Sequence, residues 1–437
     1  HAVGEGGALE VAVKVAGPAV SVHRLQNRLR RQRGGYTIEP DIIRGNGATA
    51  LGAGRTRQFW LEVSAASDAR PGERRGTLTV RLGRREKRLP LVVEVLPFRL
   101  AAADFSHGLF GLQPDRHAPA DAQERVIRLL RAHGMTAVGG VPLGRALVRD
   151  GELAIDFAEA DRVMALLKEA GFRREVDTYG GPGIAGVNAA AKALGRPYWE
   201  VLKEVGRRIR NHAKAEGWLP VSFALVDEPH WSDKAVNKAA ARVRKTNEAV
   251  PWVITNGYWT PRAAKPAHRR LMDELDRTML GRPTREAVAY LKSRQKSVGY
   301  YGQCSRYQFG YRQWSALSAG FDVHYAWHLY IRYGDLYYDL DAREPDVCMI
   351  YYTPTAVRPS LRLKSIRAGV ADFRYLRTLA AARDAAGPGA AADKARDVLD
   401  KVRQRANIYG RGRVEDADAL RQEIIGAIRA VKRTEKK

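Results

Sequence analysis

The sequence predicts an α/β protein in which a (β/α)8 barrel follows a β-sandwich and precedes a helical extension. Short alternating apolar runs separated by turn residues fill the first part of the chain. Strand and helix patterns then alternate through the middle, as a parallel barrel requires. Helical patterns fill the end. We therefore divide the 437 residues into a sandwich at 1–97, a barrel at 98–345 and a carboxy-terminal region at 346–437.

The amino-terminal part has the pattern of a small all-β domain. Its apolar residues alternate with polar ones over stretches as long as single strands. Turn residues such as Pro71 and Gly83 separate these stretches, and Pro97 ends the last of them. The runs are few for a complete sandwich, so we expect one strand to be missing. The predicted strands are residues 9–15, 59–63, 77–82 and 89–96.

The middle of the chain contains eight candidate strands with helical patterns between them. One such helix places Val163, Leu166 and Leu167 on a single face, as a helix packed on a core does. Another is predicted at residues 198–217. Eight strands that alternate with helices are typical of a (β/α)8 barrel. The strands are predicted at residues 108–112, 136–141, 174–178, 221–226, 252–256, 278–280, 297–301 and 322–327.

After the barrel, the pattern predicts one more strand at residues 346–352 and then three helices. The first helix has Ile366, Val370 and Phe373 on one face, and a glycine- and alanine-rich break follows it. These helices give the barrel a helical extension. They are predicted at residues 361–385, 391–406 and 416–432.

The residues that point most directly to function are Asp227, Glu228 and Pro229, which follow the apolar run 221–226. Two adjacent carboxylates buried without partners would cost several kcal/mol, so we expect them to face a polar cavity. The run is the fourth barrel strand, and the carboxyl ends of barrel strands form the active face. Pro229 keeps Glu228 out of the right-handed α region and cannot donate to a continued ladder. The strand should therefore open into a loop at this pair.

A carboxylate pair in this position indicates a glycosidase. Such an enzyme needs one acid that protonates the leaving oxygen and a second group that acts at the anomeric carbon. Adjacent carboxylates suit substrate-assisted hydrolysis, in which the 2-acetamido oxygen of the substrate is the nucleophile. The alternative is a chance Asp-Glu-Pro turn that caps a helix.

Three stretches of the chain together resemble one known family, the glycoside hydrolase family 123-like proteins, which include the DUF4091 group. The first has a tryptophan strand followed by a Pro-Gly turn, and the second is the Asp-Glu-Pro tripeptide. The third has an arginine, a glycine, an acidic-aromatic pair and a Tyr-Leu pair. These stretches are residues 59–63 with 68–72 and Gly76, residues 227–229, and residues 361–363 with 366–376.

The resemblance implies a β-sandwich, a catalytic (β/α)8 barrel and carboxy-terminal additions. It also implies retaining, substrate-assisted β-N-acetylgalactosaminidase chemistry. By this resemblance Asp227 orients the acetamido group and Glu228 is the general acid/base. The chain departs from the family pattern at Arg374, where an acidic residue is common, and in a shorter amino-terminal domain.

Aromatic and polar residues at the other strand ends are candidates for substrate binding. Aromatic rings stack on the C–H faces of sugars, and polar groups satisfy the hydroxyls. His324 has a competing interpretation as a hydrogen-bonded core histidine. The candidates are Tyr179, Asn256, Tyr258, Trp259, Tyr301, Gln303, His324 and Trp327.

Two further functions compete with this one. In the first, a glycosidase of different sugar specificity uses Glu228 as the acid and another carboxylate, Asp177 or Asp322, as the nucleophile. In the second, the barrel binds carbohydrate and is catalytically silent.

The net charge of +26 has three explanations. In order of preference they are a solvated basic surface, an anionic substrate and a nucleic acid. Arginine and lysine are spread along the whole chain without a nucleic-acid recognition motif, so we expect a carbohydrate partner and no specific nucleic acid. No His, Cys and Asp cluster has metal-ligand spacing, and the loop 180–183 lacks the lysine of a phosphate-binding loop. We therefore predict no metal and no cofactor.

The remaining expectations concern location and thiols. No apolar run approaches the ~20 residues that span a bilayer. The chain begins at His1, which is compatible with a removed leader, so we expect an extracellular or periplasmic protein. Cys304 and Cys348 are expected to be inert buried thiols, with one disulfide as the alternative. The sequence gives no oligomeric state.

Overall fold

The computed structural model describes residues 7–32, 35–45, 49–112, 118–178, 183–229, 232–331, 335, 338–340, 347–410, 412 and 414–434. It confirms the predicted fold class, with a β-sandwich, an eight-stranded parallel barrel and a helical extension. None of the described helices combines the length and the apolar character needed to cross a membrane. Cys304 and Cys348 are both free thiols.

The amino-terminal region forms two antiparallel sheets, of order β4-β1-β6-β7 and β3-β2-β5. Apolar side chains of both sheets, including Leu9, Leu61 and Val80, line a cavity of about 400 Å³ between them. The described residues of this region form seven strands, three more than the four that the sequence predicts. Arginines interrupt the apolar alternation of β2, so the sequence pattern did not predict this strand. The strands are β1 Gly7–Val15, β2 Ala19–Gln32, β3 Gly35–Arg44, β4 Thr49–Leu51, β5 Phe59–Ser64, β6 Gly72–Leu82 and β7 Arg85–Val95.

The eight barrel strands are parallel and follow one another around the barrel in chain order. A bridge between Phe110 and Gly139 joins the first strand to the second. An unpredicted hairpin, β10 and β11, is inserted after the second barrel strand. The barrel strands are β8 Ser106–Leu109, β9 Val138–Gly139, β12 Val176–Asp177, β13 Val221–Asp227, β14 Ile254–Trp259, β15 Arg277–Leu280, β16 Ser297–Gly302 and β17 Val323–Ala326. The hairpin strands are β10 Arg145–Arg149 and β11 Glu152–Asp156.

Helices surround this barrel and bury their apolar faces against its outer side. In α2, Val163 and Leu167 are fully buried and Leu166 is partly buried, as their spacing predicts. The helices are α1 Ala122–Ala132, α2 Ala158–Glu169, α3 Val187–Ala193, α4 Tyr198–Ala215, α5 Asp233–Ala249, α6 Pro266–Glu274, α7 Arg285–Ser293 and α8 Gln313–Ser318, which a π-helical turn, Gln308–Arg312, precedes.

The barrel interior is filled at its amino end and open at its carboxyl end. At the amino end Arg277 forms an ion pair with Glu175 and donates a hydrogen bond to Ser297 at 2.8 Å. Above this pair a separate apolar cluster fills the interior, with Gly299 leaving room for the side chain of Met279. The cluster comprises Phe110, Ala137, Ala224, Tyr258, Met279, Val323 and Tyr325.

Short antiparallel pairs and three long helices complete the chain. The predicted strand 346–352 is two short strands, of which β19 pairs with β18 and β20 pairs with β21. The three helices lie where the sequence predicts them. The elements are β18 Tyr330–Ile331, β19 Val347–Cys348, β20 Ile350–Thr353, β21 Ala356–Pro359, α9 Leu361–Ala386, α10 Ala390–Arg405 and α11 Ala417–Thr434.

The carboxy-terminal motif of the family resemblance has a structural role. Asp372 of α9 is fully buried and accepts hydrogen bonds from Arg306 at 2.7 Å and from Arg421 of α11 at 2.6 Å. Gly369 lies against the backbone of Arg306 so closely that a Cβ there would clash with its carbonyl oxygen. The motif therefore fixes α9 and α11 to the barrel.

The first and third motifs of the resemblance contact each other. Glu62 of β5 forms ion pairs with Lys364, at 2.8 Å, and with Arg367, both on α9. Asp41 of β3 likewise pairs with Arg362 at 3.3 Å. These charges join the sandwich to the first helix of the extension.

Candidate active site

The fourth barrel strand ends at the predicted carboxylate pair. The first six residues of β13 are buried, whereas Asp227 and Glu228 are exposed. The N–H of Glu228 donates to the carbonyl oxygen of Tyr258 on the next strand at 2.8 Å. Glu228 has a φ of 35°, in the left-handed region that non-glycine residues seldom adopt. Pro229 excludes the right-handed α region, and backbone strain of this kind concentrates at functional sites.

Asp227 and Glu228 line one cavity at the carboxyl end of the barrel. Its volume is about 240 Å³, close to the lower end of the range for small-molecule sites. Side chains from the ends of five barrel strands form it, so the barrel fold itself brings them together. The lining residues are Phe110, Asp227, Glu228, Tyr258, Tyr301 and Trp327.

Tyr301 positions the Glu228 carboxylate. Its hydroxyl donates a hydrogen bond of 2.5 Å to Oε1 of Glu228. Burial, and then the contact with this carboxylate, raise the pKa of Tyr301 above its ordinary value. The phenol therefore stays protonated and remains a donor at physiological pH. Its ring packs edge to face against Tyr258, with 5.6 Å between the ring centroids.

A buried carboxylate lies beneath the cavity. Oδ2 of Asp177 accepts hydrogen bonds from the Tyr258 hydroxyl and from the Asn256 amide, the latter at 3.0 Å. Oδ1 of Asp177 is buried without a hydrogen-bond partner among the described residues. Burial raises the pKa of Asp177 to about 7, with the nearby Glu175 carboxylate as a further cause. Asp177 therefore orients the Tyr258 ring that lines the cavity.

Trp327 and Phe110 supply the aromatic side of the cavity. Trp327 is 42% exposed, and its ring centroid lies 6.3 Å from that of Phe110. Phe110 was not among the candidates of the sequence analysis. Its position in the predicted first strand, at the same end of the barrel as Asp227, was the signal that could have found it.

Several predicted binding residues lie outside the cavity because neighbours on a strand point to opposite faces. Trp259 is fully buried on the outer side of the barrel, where it packs on His268. His324 is also fully buried and stacks on Tyr300 at 4.1 Å. Neither can contact a ligand in this cavity, which corrects their assignment to substrate binding.

Three more candidates are not among the described residues that line the cavity. Asn256 is fully buried and reaches Asp177 rather than the cavity, which corrects its assignment. Gln303 is exposed just beyond β16 and is not among the lining residues. Tyr179 lies outside the described residues.

The two alternative nucleophiles do not face the cavity. Asp177 has no solvent exposure. Asp322 lies at the opposite end of the barrel, where it accepts a hydrogen bond from Ser297 at 2.6 Å. The described residues contain no group of three or more His, Cys, Asp or Glu side chains placed to hold a metal ion.

Comparison with solved structures finds one protein with a clear similarity of fold and others with a weaker similarity. A family 123 glycoside hydrolase from Clostridium perfringens superimposes with a TM-score of 0.64 at 12% identity, over 99% of this chain and 90% of that one. Xylanase 10B from Thermotoga maritima gives a TM-score of 0.40 at 11% identity, over 62% and 96%. An endo-β-1,4-mannanase from Thermotoga petrophila gives 0.37 at 14% identity, over 62% and 77%.

Sequence comparison is less informative than structural comparison for this chain. No family model matches it, and no curated protein is detectably similar to it. At 12% identity the likeness to the Clostridium perfringens enzyme shows the shared fold, a β-sandwich joined to a (β/α)8 barrel. The chemistry of the protein depends on the residues that line the cavity.

Proposed function

We propose that the protein is a retaining, substrate-assisted glycosidase that removes a β-linked 2-acetamido sugar, of the N-acetylgalactosamine type, from a glycan. One observation carries the proposal: adjacent carboxylates, Asp227 and Glu228, line a single aromatic cavity at the carboxyl end of a barrel. The structural likeness to a family 123 glycoside hydrolase supports it.

Glu228 is the general acid/base in this proposal. It is exposed to the cavity, and Tyr301 holds its carboxylate through a hydrogen bond of 2.5 Å. In the first step the protonated carboxyl gives its proton to the leaving glycosidic oxygen. In the second step the carboxylate takes a proton from the attacking water, so the same group restores its starting state.

Asp227 orients the acetamido group of the substrate. Its carboxylate accepts a hydrogen bond from the acetamido N–H, which aligns the acetamido oxygen for attack at the anomeric carbon. The negative charge of the carboxylate also stabilises the positive oxazolinium ion that forms. Among the described residues that line the cavity, Asp227 and Glu228 are the two carboxylates. These lining residues therefore include no third carboxylate that could act as a nucleophile. This favours the substrate-assisted route over a route in which a second carboxylate such as Asp177 attacks the sugar.

The aromatic side of the cavity offers a surface on which a sugar ring can stack. Trp327 presents an exposed indole, and Phe110 and Tyr258 lie behind it. Flat aromatic surfaces stack on the C–H face of a pyranose ring. The hydroxyls of that sugar remain available to the carboxylates on the opposite side.

Hydrolysis of para-nitrophenyl β-N-acetylgalactosaminide, measured beside the β-galactoside, tests the proposal. We expect release of nitrophenol from the acetamido sugar and little from the sugar without it, because the galactoside lacks the internal nucleophile. Binding of the sugar without any product would instead indicate the catalytically silent barrel.

Substitution of Glu228 tests its role directly. Glu228→Gln should lower the rate on an unactivated disaccharide by about 10²–10⁴-fold, the usual contribution of a positioned proton donor. An aryl glycoside with an acidic leaving group should lose much less in the bond-breaking step. The matched control is Glu216→Gln, an exposed position at the carboxyl end of α4. Normal turnover of the disaccharide by Glu228→Gln would contradict the assignment.

The role of Asp227 separates the substrate-assisted route from its competitor. A thiazoline that mimics the oxazolinium ion should inhibit, and a fluorosugar should leave no covalent adduct on the protein. Mass spectrometry that finds a stable glycosyl adduct on Asp227 would show a covalent route instead.

A further inference from the structure

A second depression adjoins the cavity of the candidate active site. Its volume is about 600 Å³, and it lies between α4 and α5 on the outer side of β13. Asp227 is the residue that lines both it and the catalytic cavity, so the two depressions meet at the candidate catalytic pair. We call it the basic groove and define it by Trp199, Asp227, Lys238, Arg242 and Lys245.

Three basic side chains give the groove its charge. Lys238, Arg242 and Lys245 are spaced at i, i+4 and i+7, so they share one face of α5. All three are exposed. Arg242 donates a hydrogen bond to the Leu225 carbonyl oxygen, and the ammonium of Lys245 lies 5.7 Å from the Trp199 ring centroid. No carboxylate of the described residues forms an ion pair with any of them.

Some arginines on other helices form ion pairs with nearby carboxylates. On α1, Arg128 pairs with Glu124 at 2.9 Å and with Glu169 at 2.7 Å. On α4, Arg208 pairs with Glu204 at 2.7 Å. Exposed basic side chains without an ion pair among the described residues also occur on α4, at Lys203, Arg207 and Arg210, so the groove is distinguished by its position beside Asp227 and not by its charge alone.

We propose that the basic groove binds the sugar that follows the scissile bond, and that this sugar carries an anionic group, a carboxylate or a sulfate ester. The inference rests on the proposed glycosidase function and names its substrate class. The catalytic cavity would hold the acetamido sugar, and the leaving part of the glycan would pass Asp227 into the groove.

The dimensions and chemistry of the groove suit this ligand. From Lys238 to Lys245 the helix rises about 10 Å, the length of roughly two sugar residues, at 1.5 Å per residue. The ring of Trp199 offers an apolar face for a pyranose. Arg242 is held at the end of β13 by its hydrogen bond to Leu225. A guanidinium has five N–H donors, so donors remain for a planar or tetrahedral oxyanion.

Matched disaccharides test the inference. Each has β-N-acetylgalactosamine at its non-reducing end and is linked to glucuronic acid, to glucose, or to glucose with a sulfate on its primary hydroxyl. At low ionic strength we expect kcat/KM of the wild-type protein to be about tenfold higher for an acidic disaccharide than for the neutral one. The two acidic substrates distinguish a carboxylate from a sulfate. Salt at about 0.5 M should remove the preference, since it screens exposed charges beyond a few Å.

Substitution of Lys238 and Lys245 tests whether the preference for acidic disaccharides arises in the basic groove. Lys238→Gln/Lys245→Gln should reduce the acidic-to-neutral ratio of kcat/KM to about one to threefold, as expected when exposed contacts of modest strength are lost. The control, Arg84→Gln/Lys87→Gln, removes the same charge from exposed positions at the β6–β7 turn and should keep the full ratio. A ratio that falls equally in both variants would show a general charge effect and overturn the groove.

The same experiments distinguish an error in the groove inference from an error in the proposed glycosidase function. If the wild-type protein cleaves the neutral disaccharide and shows no preference for the acidic ones, the groove inference is wrong and the glycosidase function stands. If it cleaves none of them, the function is wrong, and calorimetric binding of the acidic and neutral disaccharides to the wild-type and lysine variants then decides the groove. Equal binding of the acidic and neutral disaccharides would overturn the groove inference. Tight binding of a DNA duplex at physiological salt that is lost in the lysine variant would also overturn it, because the groove would then bind nucleic acid.

Discussion

Replacing Asp177 with asparagine should change the pH dependence of stability in a defined direction. Asp177 has no solvent exposure, and burial raises the pKa of its carboxyl from 3.8 to about 7. Between these two values the unfolded chain has lost a proton that the folded protein keeps. The stability contributed by Asp177 is therefore full below about pH 4 and is lost as the pH rises to about 7.

The magnitude follows from the shift in pKa. A difference of about three pH units, at about 1.4 kcal/mol per unit, amounts to about 4 kcal/mol of unfolding free energy. Asparagine has nearly the shape of aspartate and keeps an oxygen for the Tyr258 hydroxyl and the Asn256 amide, but it does not ionise. Asp177→Asn should therefore gain about 4 kcal/mol relative to the wild type between about pH 4 and pH 7, and nothing further above that.

Urea unfolding, followed by tryptophan fluorescence at several pH values, measures this difference. Tyr258→Phe is an informative second variant, because the Tyr258 hydroxyl lowers the pKa of Asp177 and its loss should extend the decline to higher pH. If the unfolding free energies of the wild type and Asp177→Asn run parallel from pH 4 to pH 8, the buried carboxylate does not titrate as argued.

Three other predictions follow from named contacts. Tyr301→Phe should lower kcat about tenfold, because a hydrogen bond to a charged group contributes roughly 1.5 kcal/mol; an unchanged kcat would show that Tyr301 does not position Glu228. Asp372→Ala should cost roughly 3–5 kcal/mol in urea unfolding, because it leaves Arg306 and Arg421 without their shared carboxylate; a loss below about 1 kcal/mol would be inconsistent with the buried network. Gly299→Ala should destabilise by about 1–3 kcal/mol, since its Cβ would meet the Met279 sulfur, and an unchanged unfolding midpoint would contradict this packing.

The order of the elements and the position of the carboxylate pair could be predicted from the sequence. An apolar run followed by Asp227, Glu228 and Pro229 is a local pattern, and the carboxyl end of a barrel strand has one location in the fold. The alternation of strands and helices likewise depends on neighbouring residues. The arginine-rich strand β2 and the hairpin β10–β11 lacked a clear pattern, and the sequence analysis missed both.

The tertiary structure alone decided which neighbours face the cavity. Tyr258 and Trp259 are adjacent and both aromatic, yet one lines the cavity and the other packs outside the barrel. Which of them points inward depends on strand register, and a register shift between Ala224 and Val226 alters it beside Asp227. A shift of one residue exchanges the two faces of a strand, and no local pattern reports it.

The contacts between distant segments were also beyond the sequence. It showed that residues 59–63 and 361–376 carry motifs, but not that Glu62 forms an ion pair with Lys364. The basic groove needs Trp199 of α4 beside Lys245 of α5. By itself the sequence determined the alternation of the barrel strands and helices and where the Asp-Glu pair lies, because those features depend on local residue order. The fold decided the cavity, the buried Asp177 and the groove, because side-chain neighbours far apart in the chain are set by packing.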